Sequence, residues 1–248
     1  MSGHSKWATI KRQKGKTDAA RANVFTKIGR ELAVAVKAGG PDPNNNPRLR
    51  DVIAKARAAN MPNDNISRSI KKASGEDGNV NYDAITYEGY GTSGVAVIVE
   101  TLTDNKNRTA AAVRHIFDKC GGSLGTTNCV SYMFESKGVI AVQKDPSDDE
   151  EEVMMLALEL GADDFDSSET EYYIETAPSA LPAVRDGLEK AGRVIISSEV
   201  QQIPASTVDI DAEAEAKIRR MLDMFDEDDD VQNVYHNANL PDDGNEED

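Results

Sequence analysis

The feature that most constrains this chain is where its charge sits. Across 248 residues the formal net charge is −16. Residues 1–75 nevertheless hold 16 Lys and Arg against five Asp and Glu, a net of +11, while the remainder carries 12 against 39, a net of −27. A single-sign field repels itself, so a split this lopsided predicts two electrostatically distinct parts that meet near SGEDGN, residues 74–79.

The basic part reads as an arm followed by helices. In GHSKWATIKRQKGK the cations Lys6, Lys11, Arg12, Lys14 and Lys16 crowd together with no acid between them. Phe25, Ile28, Leu32 and Val36 then recur at helical spacing, between Asp18 at the start and Gly39 at the end. PDPNNNP is a connection. Asn46-Pro47 opens a second helix through Ala59, with Leu49, Val52, Ile53 and Ala56 inward. A third follows Met61-Pro62-Asn63, with Ile66 and Ile70 inward and Gly75 as its stop. Three short amphipathic helices with short links are a small bundle.

The polar faces of that bundle carry Arg21, Lys27, Arg30 and Lys37 on the first helix and Arg68, Lys71 and Lys72 on the third. On the second, Arg50 and Arg57 share a stripe, and Arg48 and Lys55 are expected on a neighbouring one. An ordinary solvated face mixes both signs; this one has few acids to interleave, which points to nucleic acid or another polyanion held through counterion release. Trp7 could stack on a base, but a lone aromatic is a poor platform for a strand, and an anchor pinning the arm to the bundle is the better reading.

The acidic remainder alternates strands and helices. DAITYEGY and GVAVIVETL are two strands, and NKNRTAAAVRHIFDKCGG is a helix. VSYMFE and GVIAVQ are expected to form a hairpin through Ser136-Lys137-Gly138. A helix from Ser147 to Leu160 carries Asp148, Asp149, Glu150, Glu151 and Glu152 in its first turns, where acids complement the dipole. TEYYIETA, LPAVRDGLEKAG and RVIISSEVQQIP complete a ferredoxin-like order. After Pro204 come STVDI, a helix from Ala212 to Phe225, and VQNVYHN. The expected fold is therefore α+β in three domains: a basic helical bundle (1–76), a discontinuous α/β domain (80–129 plus 205–238), a ferredoxin-like domain inserted in it (130–204), and an acidic tail (239–248).

Several functions are excluded on chemistry. No apolar run approaches the roughly 20 residues that span a bilayer. The basic start lacks the apolar stretch of a secretory signal, and Gly3, Gly15 and its many lysines spoil the amphipathic helix of a transit peptide. Cys120 and Cys129 are too few for a disulfide framework and read as small buried hydrophobes in a reducing cytoplasm. With only His4, His115 and His236 besides, no metal site is expected. Gly89-Tyr-Gly91-Thr-Ser-Gly94 matches G-x-G-x-x-G but runs from strand to strand, so it is a hairpin and not a dinucleotide loop. Asp104, Asn105, Lys106, Asn107, Arg108 and Thr109 form a polar cluster in which Asp104 or Asn105 would cap the next helix, leaving Lys106 and Arg108 as a possible secondary polyanion contact. No nucleophile–base arrangement is recognisable, and no enzyme, cofactor or small-molecule substrate is expected.

GHSKWATIKRQKGKTDAARANVFTKIGREL, NPRLRDVIAKARAANMPNDNISRSIKKASG, YEGYGTSGVAVIVETLTDNKNRTAAAVRHIF and DDVQNVYHN closely resemble the YebC/PmpR family, which includes the mitochondrial translational activators of cytochrome oxidase. The resemblance covers nearly the whole chain. It implies three domains and a cytoplasmic, non-enzymatic regulator of gene expression, with DNA-binding transcriptional regulators among the bacterial members and ribosome-associated translation factors among others. It supplies no catalytic residues. DNA and ribosomal RNA both stay open as targets, because no groove-entering recognition helix stands out. A protein-interaction module whose basic bundle meets an acidic partner is the alternative of a different class.

Overall fold

The computed structural model describes residues 18–75 and 81–241. The arm with Lys6, Trp7, Lys11, Arg12, Lys14 and Lys16 lies outside the described residues, as do the side chain of Arg21 and the tail from residue 242 on. Among the described residues there are two compact units, one of 18–75, 81–132 and 207–238, the other of 133–206 with 239–241.

The first unit opens with helices α1 (Asp18–Gly39), α2 (Pro47–Ala58) and α3 (Asn63–Ser74). It continues through β1 (Asp83–Tyr90), β2 (Ala96–Thr103), α4 (Lys106–Lys119) and β3 (Ser123–Leu124). The second unit supplies β4 (Phe134–Gln143), α5 (Glu150–Glu159), β5 (Asp164–Ser167), β6 (Glu171–Thr176), α6 (Leu181–Lys190) and β7 (Ile195–Pro204). The chain closes with β8 (Val208–Asp209), α7 (Ala212–Glu227), β9 (Val231–His236) and β10 (Ala238–Asn239). The fold is α+β: a helical domain and two α/β sandwiches, one inserted in the other.

The helical stripes meet as their spacing requires, with Ile28, Leu32, Ala35 and Val36 closing on Leu49, Val52, Ala56 and Ile66. Asn46 stitches the first two helices together. Its side-chain oxygen accepts the Leu49 amide and caps α2, while its nitrogen donates to the carbonyls of Ala35 and Gly40 at the end of α1. A polar group this deeply buried is tolerable because these bonds are made.

In the discontinuous sandwich the antiparallel order is β3-β1-β2-β9, so the last strand returns beside the hairpin that began the sheet. Helices α4 and α7 lie side by side, Phe117 meeting Phe225 edge-on with centroids 5.6 Å apart. Strand β2, between β1 and β9, is buried everywhere except Glu100, with the apolar run Ala96-Val97-Ile98-Val99 at its start. The three glycines of the strand-to-strand loop have packing and backbone reasons. A Cβ on Gly89 would stand 2.5 Å from the Ser123 carbonyl oxygen, one on Gly91 would stand 2.6 Å from Ile218, and Gly94 has φ +76°.

The inserted unit has order β5-β6-β4-β7, the ferredoxin-like arrangement. Ile140, Val142, Tyr172 and Ile174 of the sheet pack on Val153 and Ala157 of α5 and on Val184 and Leu188 of α6. Here the structure corrects three expectations. There is no hairpin at Ser136-Lys137-Gly138: FESKGVIAVQ is one ten-residue strand paired on both sides. Gly138 serves close approach and not a turn, because a Cβ there would stand 2.4 Å from Thr176 Oγ1. Strand β5 went unforeseen, since DFDS offers one apolar side chain and no long alternation. The helix expected from Ser147 to Leu160 is confined to Glu150–Glu159, with Asp149 as its cap.

Candidate nucleic-acid interface

Helix α2 turns Leu49, Val52 and Ala56 inward. Each residue advances the helix by about 100°, so Arg50 and Arg57 share one flank of that stripe. Arg48 stands about 200° from Arg50, on the opposite flank with Lys55, and the two pairs are not neighbouring stripes. Helix α3 buries Ile66, which leaves Arg68, Lys71 and Lys72 around the centre of its outward side. Arg48, Arg50, Arg57, Arg68, Lys71 and Lys72 are all exposed, and none has an ion pair or hydrogen-bonded side-chain partner among the described residues. Helix-dipole compensation accounts for the cations of the last turns, Arg57, Lys71 and Lys72. It gives no reason for Arg48, Arg50 or Arg68.

Helix α1 spends its polar residues differently. Asn23, Lys27, Arg30 and Lys37 lie on one side of it, opposite the buried stripe, and that side faces the discontinuous sandwich. Asn23 and Lys27 donate to the Asp226 carbonyl, at 2.6 and 2.9 Å, in the last turn of α7. An ammonium there suits the negative end of the helix. Arg30 donates to the Leu102 carbonyl at 2.8 Å, lies 5.4 Å from the Tyr82 ring centroid and pairs with Asp230. Lys37 donates to Asn81 at 2.7 Å. Lys55 of α2 meets Glu31 at 2.9 Å. The cations Lys27, Arg30 and Lys55, candidates for phosphate contact by charge alone, are thus engaged within the protein.

Asp230 is the hub of this contact. Besides Arg30 it accepts from Thr109 Oγ1 at 2.6 Å, Thr103 Oγ1 at 3.2 Å and Arg108 Nη2 at 2.8 Å. Burial by itself would raise its pKa, but the bonds from Thr109, Arg30 and Arg108 outweigh that and hold it at about 2. Arg108 also pairs with Asp104 at 2.8 Å, and Lys106 pairs with Asp83 at 3.2 Å. Asn105, not Asp104, caps α4 by accepting the Arg108 amide. The polar cluster of residues 104–109 therefore caps a helix and latches a loop. An open depression of about 520 Å³ beside it is lined by Arg30 and Arg108 together with Asp104, Glu227, Asp228, Asp229 and Asp230. Five carboxylates around two paired guanidiniums make it a poor place for an anion.

A second buried carboxylate was not singled out by sequence reasoning. Glu88, 4 % exposed on β1, accepts the backbone amides of Asn128, Val130 and Ser131 at 2.8 to 2.9 Å. Burial would raise its pKa; the three amides win and lower it. They fix the loop that contains Cys129, which is half-buried and not wholly inside like Cys120. In the acidic run, Asp148 pairs with Arg193, Asp149 caps α5 and Glu150 meets Lys144 at 2.8 Å. No group of three residues fit to hold a metal ion occurs among the described residues, and no helix among them is long and apolar enough to cross a membrane.

A basic helical domain latched to an α/β sandwich that carries a second sandwich as an insert defines a class of protein. The chain belongs to the TACO1/YebC family, whose N-terminal domain model matches residues 5–76 and whose second and third domain model matches residues 82–238. Similar proteins include a "probable transcriptional regulatory protein" of Clostridium botulinum strain Okra, 55% identical with 97% of this chain and 98% of the relative covered. Another, of Acetivibrio thermocellus, is 55% identical with 96% and 98% covered. Among solved structures, the conserved hypothetical protein Aq1575 of Aquifex aeolicus matches with a TM-score of 0.85 at 46% identity, over 95% of this chain and 97% of that one.

Proposed function

We propose that the protein is a cytoplasmic, non-enzymatic regulator of gene expression that binds nucleic acid through the phosphate backbone. The observation that carries this reading is the set of six exposed cations on α2 and α3, Arg48, Arg50, Arg57, Arg68, Lys71 and Lys72, which no described carboxylate pairs with. Relatives named as probable transcriptional regulatory proteins support DNA as the target. The basic arm adds further phosphate contacts of the same kind. Reaction chemistry has no comparable support: among the buried carboxylates, Asp230 and Glu88 are occupied by bonds that hold structure, and Glu171 accepts the Tyr173 hydroxyl.

Binding of a labelled DNA duplex, followed by fluorescence anisotropy over a salt series, tests the reading. Six neutralised phosphates should lower affinity about a thousandfold between 50 and 200 mM salt. Replacing Arg50 and Arg57 by Ala should flatten the log–log slope by about 1.8. A salt-independent signal, or a slope unchanged in that variant, would set the reading aside. Ribosomal RNA is the second reading. Arg48 and Arg50 sit on opposite flanks of α2, which suits an irregular backbone better than a single ridge laid in a groove. Competition between duplex DNA and structured RNA for the same site separates the two.

A further inference from the structure

Residues 120–134 contain no charged side chain, although they lie in the part of the chain whose net charge is −27. They span β3 and the loop that leads on toward β4, and the fold pins that loop at several points. The Gly125 amide donates to the Glu88 carbonyl at 2.8 Å, and the Glu88 carboxylate accepts the amides of Asn128, Val130 and Ser131. A Cβ on Gly125 would stand 2.4 Å from Cys129 Sγ, so the turn is tight. Tyr90 donates its hydroxyl to the Cys129 carbonyl at 3.1 Å. Val130 is wholly buried, yet Tyr132, two residues on, is 75 % exposed, more than any other large apolar side chain among the described residues. Its hydroxyl interacts with that of Tyr90 and raises the Tyr90 pKa. A ring this open contributes little to the core.

We propose that Tyr132 is a stacking contact for one unpaired nucleobase, presented by the loop that Glu88 holds. The contact rests on the nucleic-acid function proposed above and narrows it to RNA that exposes bases, in single strands or loops. Every base has a π-face, so an open aromatic ring accepts any of them, whereas a base inside a duplex is already stacked on both sides. A ring carried on a fixed backbone has less freedom to lose on binding than one on a loose segment. The uncharged surroundings also matter, because a base arrives with its phosphate and carboxylates here would repel it. Thr126, Thr127 and Asn128, exposed at the tip of the loop, offer hydroxyl and amide groups of the kind that bond base edges. One ring serves one base and not a strand. The cations of α2 and α3 therefore supply the phosphate contacts, and Tyr132 adds a preference for unpaired bases.

The test is anisotropy with a short labelled single-stranded RNA, and with the duplex of the same sequence, over a salt series. Tyr132→Ala should lower single-strand affinity about tenfold to a hundredfold. The loss should be the same at every salt concentration, because stacking releases no counterions, and duplex affinity should hold. Tyr132→Phe removes the hydroxyl that meets Tyr90 but keeps the ring, and should bind as the wild type does. Unfolding curves of both variants should overlay that of the wild type, as expected at an exposed position. Unchanged single-strand affinity in Tyr132→Ala overturns the proposal, as does an equal loss for the duplex. So does a Tyr132→Phe variant as weak as Tyr132→Ala, which would make the hydroxyl and not the ring the contact. A wild type that binds neither probe removes the proposed function and this contact with it, whereas binding that ignores Tyr132 removes the contact alone.

Discussion

Arg108 places its Nη2 2.8 Å from the Asp230 carboxylate, and the same carboxylate receives Arg30 from another domain of the same compact unit. One buried acid thereby joins α1 to the start of α4. Asp230→Ala leaves the Arg30 guanidinium poorly compensated and should cost about 3 kcal/mol in denaturant unfolding. A double-mutant cycle of Asp230→Ala with Arg30→Ala should return a coupling of about 1–3 kcal/mol. Strictly additive effects would mean that the pair does not hold the two domains together.

The same acid sets a pH dependence. Its folded pKa of about 2 lies below the ordinary aspartate value of 3.8, so its contribution is fully present above the unfolded value. It is lost as pH falls through the folded one. Between pH 5 and pH 2 the wild type should therefore lose about 2 kcal/mol more stability than Asp230→Asn, in which this group cannot titrate. Equal acid sensitivity of the two proteins would contradict the assignment.

Glu88 offers a test on a carboxylate held by backbone amides. Glu88→Gln keeps the shape but turns an amide nitrogen toward backbone donors, costing about 1–3 kcal/mol. The loop at 125–131 should loosen, and Cys129 should react faster with a maleimide. Loss of the Glu88 charge, which together with burial raises the Cys129 thiol pKa, acts in the same direction. Cys120, buried in the core, should stay slow.

Two glycines of one motif should behave differently. Gly89→Ala meets backbone at Ser123 and the Phe117 ring and should cost about 1–3 kcal/mol by forcing β1 away from β3. Gly94→Ala has open space around it but a φ of +76°, so its cost should be about 1 kcal/mol and confined to the turn. Comparison of their thermal unfolding, with a dinucleotide added to each, would also reveal any cofactor role, which this geometry predicts to be nil.

Binding and stability should separate by residue. Arg50→Glu with Arg57→Glu should abolish nucleic-acid binding while shifting stability by no more than about 0.5 kcal/mol, as exposed positions do. Arg30→Ala should do the reverse, lowering the unfolding midpoint while affinity holds. Loss of binding in Arg30→Ala at full stability would move the contact surface onto α1.

Much of this architecture could be read in the residues themselves. Helical spacing of Ile28, Leu32 and Val36, the Asn46-Pro47 start and the apolar run that opens β2 each state a local preference that the structure keeps. Gly138 shows where such reading stops: glycine can mean a turn or a close approach, and only the position of Thr176 on the neighbouring strand decides which. Likewise Asp230 belongs to a run of five consecutive carboxylates, Asp228 and Asp229 among its neighbours, and nothing in their spacing marks one of them as the buried partner of Arg30.

The linear order of residues determined the helices, most strands, the insertion of one sandwich in another, and the uneven distribution of charge. Those follow from interactions over a few residues or from composition summed over a segment. Tertiary structure alone decided which cations remain available to a partner. An ion pair such as Arg30 with Asp230 joins groups two hundred residues apart, and a charge is spent or free according to what folding brings within a few ångströms of it.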